Sequence, residues 1–434
     1  MALQELLEKV KSGRYVMSVI GVGRVGLPLS VAFASRGVRV YGVDVSAQHV
    51  QNLREGKIPF KEDLIEKFFP NENFIPTTDS IGAVNQSDVI ILTIGTPLTE
   101  HTREDYSQLN AVLDGITKVD LRNKIIIMRS TSSPGTLENI IIPNIEKRTG
   151  LKCGKDFAAA VCPERIVEGK ALEELWILPE FIGVKDDTSF EVAKEVFLTL
   201  NKDKVILKTT PKSAELGKLF TNVYRYINFA LANEFGLLAE FHGEDAHEII
   251  NMLNYKYHRG GLPRPGLTGG PCLSKDGYYL ISHLNFPDFI LFAWRLNESI
   301  PKYVVNKVKR ELEKSGKQLW QSKIAVLGRA FKANIDDLRY SPAENIVEIL
   351  KTENADIYAH DPHVKGSHSL EESVMDADAI ILAVNHNEFK GIENSLQGYK
   401  QNCILFDCWG MIDPLVAEKR GFKYMRFGSG KHKV

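Results

Sequence analysis

The sequence predicts an α/β protein in which two parallel-sheet halves flank a long central helix, and three observations predict it. Val- and Ile-rich runs of strand length alternate with helix-length segments at both ends of the chain, as parallel strands with crossover helices do. Between them, SAELGKLFTNVYRYINFALANEFGLLAEFHG (213–243) contains no proline and keeps apolar residues at helical spacing. Finally, the strand, glycine turn, helix and acid-ended strand of 16–45 return at 322–362.

Taken in order, MALQELLEKVKSGR reads as a short amphipathic helix, because it lacks the continuous apolar region of a signal peptide. VMSVIGVGRVGLPLSVAFASRGVRVYGVDV (16–45) gives a strand, three glycines, an apolar helix and a second strand. DVIILTIGTP (88–97) and KIIIMRSTSSPG (124–135) are two further β-like runs. The 213–243 helix is apolar enough to need burial against a partner, and more helix is expected at 244–254 and 288–314. SKIAVLGRAFKANIDDLRYSPAENIVEILKTENADIYAHDP (322–362) restarts the pattern and ends on Asp361. DADAIILAVNHNEF (376–389) echoes QSDVIILTIGTP (86–97), and CILFDCWGMID adds a last short strand.

Composition narrows the class. At 434 residues the chain exceeds one ordinary core, so two to three domains are expected. A net charge of −1 without Lys/Arg runs gives no support for nucleic-acid binding. No apolar stretch approaches the ~20 residues of a membrane span. The five cysteines form no CxxC pair and no metal-ligand spacing, so no metal is expected, and a reducing cytoplasm is.

Several motifs carry chemistry. Gly21-x-Gly23-x-x-Gly26 sits between a strand and a helix, and Asp44 ends the next strand 18 residues after Gly26. In that context the glycines admit a pyrophosphate to the backbone and the acid accepts from ribose hydroxyls. No arginine follows in VDVSA, so NAD is expected rather than NADP. The later turn Gly328-Arg-Ala-Phe-Lys332 lacks the glycine spacing; a duplicate fold and a second phosphate site charged by Lys332 both remain open. Lys218 and Asn222 share one face of the long helix, extended by Arg225. That face is either a solvated stripe or a cleft wall where a lysine stabilises an oxyanion. CPERIVEGKALEEL (162–175) brings Glu164 and Glu168 to the end of an apolar run, as surface carboxylates or as site groups.

RGGLPRPGLTGGPCLSKD (259–276) is the least ordinary stretch: five glycines and three prolines precede Cys272. A structural cysteine prefers an apolar core. If LSKDGYYLISHL begins a helix, its N-terminus and Lys275 favour the thiolate, the reactive form. The other four cysteines border or lie in strand-like runs and read as structural.

Together the NAD fingerprint, Lys-x-x-x-Asn helix, Pro-Glu motif, Gly-Gly-x-Cys-x-x-x-Asp loop and late FKxNxDDxRxSPA segment resemble the UDP-glucose/GDP-mannose dehydrogenase family, over about residues 16–427. The resemblance is strongest to its UDP-N-acetylhexosamine branch. It implies two Rossmann-like domains joined by a long central helix and a small helical domain. The boundaries would be 1–212 for NAD, 213–315 for dimerisation and the cysteine loop, and 316–434 for the UDP-sugar. The implied activity is oxidation of a sugar 6-hydroxymethyl group to a carboxylate with two NAD, by a homodimer formed through the central helix. Gly21, Gly23, Val25, Gly26, Asp44, Thr96 and Thr131 would serve the cofactor, with Thr131 also near the reacting carbon. Cys272 would be the nucleophile, Lys218 and Asn222 would stabilise oxyanions, and Glu164, Glu168 and Asp276 would manage the hydrolytic water. Glu164, Lys218, Asn222, Arg225, Arg259, Gly269, Phe331, Lys332 and Arg339 would meet the nucleotide-sugar.

Arg24 departs from the aromatic residue common inside the glycine motif, and His258-Arg259-Gly260 departs from the His-Pro-Arg frequent among acetamido-sugar members. UDP-N-acetylmannosamine or UDP-N-acetylglucosamine is the expected sugar, and UDP-glucose is the alternative. A two-electron β-hydroxyacid dehydrogenase would need neither Cys272 nor the second α/β half. A non-catalytic NAD-binding sensor would not need the whole residue set.

Overall fold

The structure, a computed structural model, describes residues 2–99, 104–281 and 284–431. It divides into two compact units, Met1–Thr221 with Tyr278–Ser282, and Asn222–Gly277 with His283–Val434.

In the first unit β1 (Val16–Ile20), β2 (Arg39–Val43), β3 (Phe74–Thr77), β4 (Val89–Leu92), β5 (Ile125–Met128), β6 (Ala158–Val161), β7 (Glu180–Gly183) and β8 (Ile206–Thr209) make one eight-stranded sheet. Its order is β3-β2-β1-β4-β5-β6-β7-β8. Pairing is parallel except at β6–β7, which meet antiparallel through Val161 and Gly183. Both faces are covered. Val89, Ile91, Ile125 and Ile127 enter one core, and Ile90, Leu92, Ile126 and Met128 enter the other. This is why these strands read as unbroken apolar runs. Each such side chain contributes about 1.5–3 kcal/mol of burial. The N-terminal helix Ala2–Lys11 places Leu3, Leu6, Leu7 and Val10 in the first core, at the spacing of one helical face.

The strand order 3-2-1-4-5-6 puts a topological switch point between β1 and β4, and ligands bind beyond the carboxyl ends of strands at such a point. The segments that follow β1, β4, β5 and β6 there carry Gly21, Thr96, Thr131 and Glu164.

The second unit holds β9 (Lys323–Leu327), β10 (Asp356–His360), β11 (Ala379–Leu382), β12 (Ile404–Asp407) and β13 (Lys423–Arg426). Their order is β10-β9-β11-β12-β13 and every pairing is parallel. Ser341 caps the helix Pro342–Thr352 by accepting from Ala343 N, and Pro342 opens it without needing its missing N–H. The expected helices appear as Pro211–Phe241, Ala246–Asn254 and Asp288–Lys314. Among the described residues no helix is long and apolar enough to cross a membrane.

Two local readings are corrected. The run 88–97 pairs as a strand only over Val89–Leu92, because Thr93 turns its hydroxyl to Gly21 O at 2.8 Å and starts a loop. The helix expected after Cys272 is two short turns, Leu273–Asp276 and Tyr278–Ile281. At Gly277 a side chain would meet the Trp294 ring, so the backbone is pressed against that indole. The helix field expected at the thiol therefore reduces to that of a single turn.

Candidate active site

The first unit gathers Gly21, Gly23, Val25, Gly26, Asp44, Thr96, Thr131, Glu164, Glu168 and Lys218. The helix Gly26–Ala34 is buried throughout and no side chain caps its start. Leu27 N already donates to Gly23 O at 2.9 Å, Leu29 N to Val25 O at 3.3 Å, and Pro28 has no N–H, so the donors expected for an anion here are those of the preceding glycine turn. Gly26 lies so close to Gly21 O and the Thr93 hydroxyl that any side chain would collide with both. Asp44 stands half-buried beyond β2 and accepts from Ser46 N at 3.0 Å through one oxygen. The Thr96 hydroxyl donates to Thr131 O at 2.8 Å, and Tyr279 OH donates to Thr96 O. The first bond ties the loops after β4 and β5 together, and the second ties the β4 loop to the turn Tyr278–Ile281.

Glu164 is buried, which overturns the surface alternative. Arg129 Nε donates to its Oε2 at 2.8 Å, while Arg165 N and Ile166 N donate to Oε1 at 2.5 and 2.7 Å. Burial alone would raise its pKa. The Arg129 charge, the two backbone donors and the Lys218 charge outweigh burial and hold the carboxyl below its ordinary range. Arg129 also pairs with buried Glu180. There burial prevails over the shared guanidinium and pushes the Glu180 carboxyl up. Glu168 pairs with Arg24, whose guanidinium also sits 5.0 Å from the Phe60 ring. The departure at Arg24 thus has an ionic and a π partner. Sequence reasoning missed Arg129; its signal was a charged residue directly after the buried strand IIIM.

The second unit gathers Asn222, Arg225, Arg259, Gly269, Cys272, Asp276, Phe331, Lys332 and Arg339. Asn222 is buried and donates to Asp276 Oδ2 at 2.6 Å, and Asp276 N donates to Cys272 O at 3.0 Å. Cys272 is exposed one turn before that buried aspartate. Its loop is held hard. Asn233 on the long helix accepts from Gly266 N at 2.8 Å, and Trp294 Nε1 donates to Ser274 O at 2.9 Å. Gly270 N donates to Tyr340 O at 3.0 Å with φ +102°, where a side chain would strike the Phe331 ring. The cysteine loop and the 331–342 segment therefore pack on each other inside this unit. Arg339 forks onto Asp337 within that segment, with Nε donating to both oxygens at 3.0 Å. Lys332 is half-buried, while Arg225 and Arg259 are exposed, Arg259 resting 5.1 Å from the Tyr257 ring.

Asp361, the counterpart of Asp44, is buried and accepts from Arg329 N, Ala330 N and His363 N at 2.6, 3.0 and 2.9 Å. Burial would raise this carboxyl, but bonds from His386 and the backbone drive it far down. It braces the second glycine turn. His363, His386 and Glu388 bring ligand atoms within 4.8 Å of one another. Both ring nitrogens of His386 are already engaged, however, by Asn334 N at 2.9 Å and Asp361 at 3.1 Å.

Three family models match the chain: the NAD binding domain of the UDP-glucose/GDP-mannose dehydrogenase family over residues 15–201, its central domain over 212–297 and its UDP binding domain over 325–414. A UDP-N-acetyl-D-mannosamine dehydrogenase of Pyrococcus horikoshii is 35% identical over 95% of this chain and 99% of its own. The chain belongs to the UDP-glucose/GDP-mannose dehydrogenase family. A solved UDP-D-ManNAc dehydrogenase structure from that organism superposes with a TM-score of 0.88 at 32% identity, covering 96% of this chain and 99% of that one. A UDP-glucose dehydrogenase structure from Pyrobaculum islandicum gives 0.83 at 26% identity, covering 96% and 98%. Relatives named for two different sugars thus share this architecture.

This family member is an NAD-dependent UDP-sugar dehydrogenase. The residues present fit NAD: the uncapped helix at Gly26, the close Gly21–Gly26 approach and the carboxylate of Asp44 are the three parts of a dinucleotide site.

Proposed function

We propose that the dehydrogenase oxidises the sugar C6 alcohol to the carboxylate in one residence, through a thiohemiacetal and a thioester on Cys272. The observation that carries this reading is an exposed Cys272 one turn before buried Asp276, which Asn222 holds. NAD, when bound, accepts a hydride at each of the two oxidations. Cys272 thiolate adds to the aldehyde carbon left by the first, so that carbon keeps a hydrogen for the second. Lys218 and Asn222 stabilise the oxyanion formed by addition, and again the one formed when water attacks the thioester. Glu164, held ionised by Arg129, takes the proton from that water, while Asp276 orients it. C–S cleavage then returns the thiolate and releases the uronate. Thr131 lines the reacting carbon, and Glu168 fixes the glycine turn through Arg24.

Arg225, Arg259, Gly269, Phe331, Lys332 and Arg339 are proposed to meet the nucleotide-sugar. The division 1–212, 213–315 and 316–434 follows the NAD, dimer and UDP roles, and the reducing cytoplasm follows from cysteine usage. We also propose a homodimer through the long helix. Tyr224, Leu231, Leu238 and Phe241 are exposed along it, at 70%, 47%, 48% and 84%, a stripe that water alone does not favour.

The sugar is proposed to be UDP-N-acetylmannosamine, for which relatives at 35% and 32% identity are named, or UDP-N-acetylglucosamine, its fellow acetamido sugar. A pocket built for the acetamido group leaves a buried polar partner unmatched by a 2-hydroxyl, costing about 1–3 kcal/mol. Steady-state kinetics with these two sugars and UDP-glucose test it. Higher kcat/KM for an acetamido sugar is expected, and a clear preference for UDP-glucose would reassign the substrate.

A further inference from the structure

The long helix carries a buried acid that the chemistry above does not use. Glu215, 1% exposed, lies in the opening turns of Pro211–Phe241, three residues before Lys218. It reaches the chain segment that follows Thr131. Gly135 N donates to its Oε2 at 2.5 Å and Leu137 N to its Oε1 at 3.0 Å. Those two amides open the helical stretch Leu137–Thr149, whose first turn, Leu137–Ile141, is π-helical. One carboxyl on one element therefore grips two N–H groups of another.

We infer that Glu215 is a positioning residue, fixing the Thr131 loop against the helix that carries Lys218. The inference rests on the proposed reaction, in which both residues face the reacting carbon. The loop's near end is already tied, by Thr96 to Thr131 O at 2.8 Å and by the Ser133 hydroxyl to Glu104 Oε1 at 2.5 Å. Glu215 ties the far end.

A merely structural cap would be cheaper. Helix starts are ordinarily capped by a Ser, Thr, Asp or Asn of their own sequence. Here no side chain of the local sequence does so, and the Thr136 hydroxyl is turned to Ser133 O at 2.7 Å. The task falls to an acid about 80 residues away, whose carboxyl burial pushes up to about 7. The charged groups facing it are Glu138, on the gripped helix, and Lys212, on its own; they pair with each other at 3.6 Å. Costly buried acids and π-helical turns both concentrate at functional sites.

Glu215→Gln tests this. Glutamine keeps one acceptor oxygen and turns an NH2 toward the second amide, so two donors face each other. Misplacement by about 1 Å costs up to roughly a hundredfold, so kcat should fall about ten- to a hundredfold while KM for the UDP-sugar and NAD affinity stay within about threefold. Glu215→Asp should recover part of that loss. Amide exchange at Gly135 and Leu137 should accelerate in the Gln variant, which reads the grip independently of turnover. If Glu215→Gln does not fold, Glu215→Asp is read in its place, with a smaller kcat loss at unchanged KM expected. A kcat within about twofold of wild type in the folded variant would overturn the inference and leave the proposed reaction standing. So would a loss matched by an equal rise in KM. A wild-type protein that makes no NADH from any UDP-sugar would instead sink the reaction, while the exchange data still judge the grip.

Discussion

Cys272 differs from the other thiols in what surrounds it. Burial pushes Cys153 up to about 12 and drives Cys162 and Cys408 well above the ordinary thiol range, so none of these supplies thiolate at neutral pH. Cys272→Ala should lower uronate formation by roughly a thousandfold or more while NAD binding, measured by titration calorimetry, is unchanged. Glu164→Gln should slow hydrolysis, so mass spectrometry of the mixed protein should find the sugar on the Cys272 peptide. An unmodified peptide during slow turnover would remove Glu164 from that step. Arg129→Gln strands Glu164 and Glu180 without their shared cation and should cost about 3–5 kcal/mol by denaturant unfolding. The sign with pH follows from Glu164. Its pKa is lowered from 4.5, so its stabilisation is present above about 4.5 and is lost as pH falls through the folded value. In Arg129→Gln the main lowering charge is gone while burial, the two backbone donors and Lys218 remain, so the stabilisation lost on acidification should shrink. Motif residues were legible in the sequence because glycine, cysteine and lysine at fixed spacing have local meaning. Arg129 and Glu215 were not, since their partners lie 35 to 80 residues away.

At the scale of elements, helices were read closely and strands less so. The long helix was placed within two residues of its observed ends because proline and periodicity mark it. Strand runs were read too long, since apolar residues continue past the last ladder bond into loops such as Thr93–Pro97. The close approach of Trp294 to Gly277 was invisible because that indole arrives from another helix. Two changes test these elements. Leu231→Glu with Leu238→Glu should turn a dimer into a monomer by light scattering, and a dimer that survives both charges would move the interface elsewhere. Gly270→Ala puts a side chain at φ +102° against Phe331. It should cost about 1–3 kcal/mol of stability, read by thermal unfolding, and lower turnover by loosening the cysteine loop.

For the whole molecule, the tandem α/β pattern was legible because both sheets use buried parallel strands with crossover helices. Their inequality was not. Against the five strands of the second sheet, the first adds β3 at one edge and β7 and β8 at the other, the latter two joined to β6 through a single antiparallel bridge at Val161 and Gly183. Short segments such as EFIG carry little periodic signal by themselves. The second sheet repeats the topology but spends its strand-end acid, Asp361, on its own backbone. Duplicate folds can therefore differ in which group faces a ligand. The central claim is that one protein carries its sugar through both oxidations without releasing the aldehyde, and the direct measurement is the count of NADH formed per UDP-sugar consumed, with an aldehyde trap present. Two NADH per sugar with no trapped aldehyde is the expected result; one NADH with stoichiometric trapped aldehyde would contradict it.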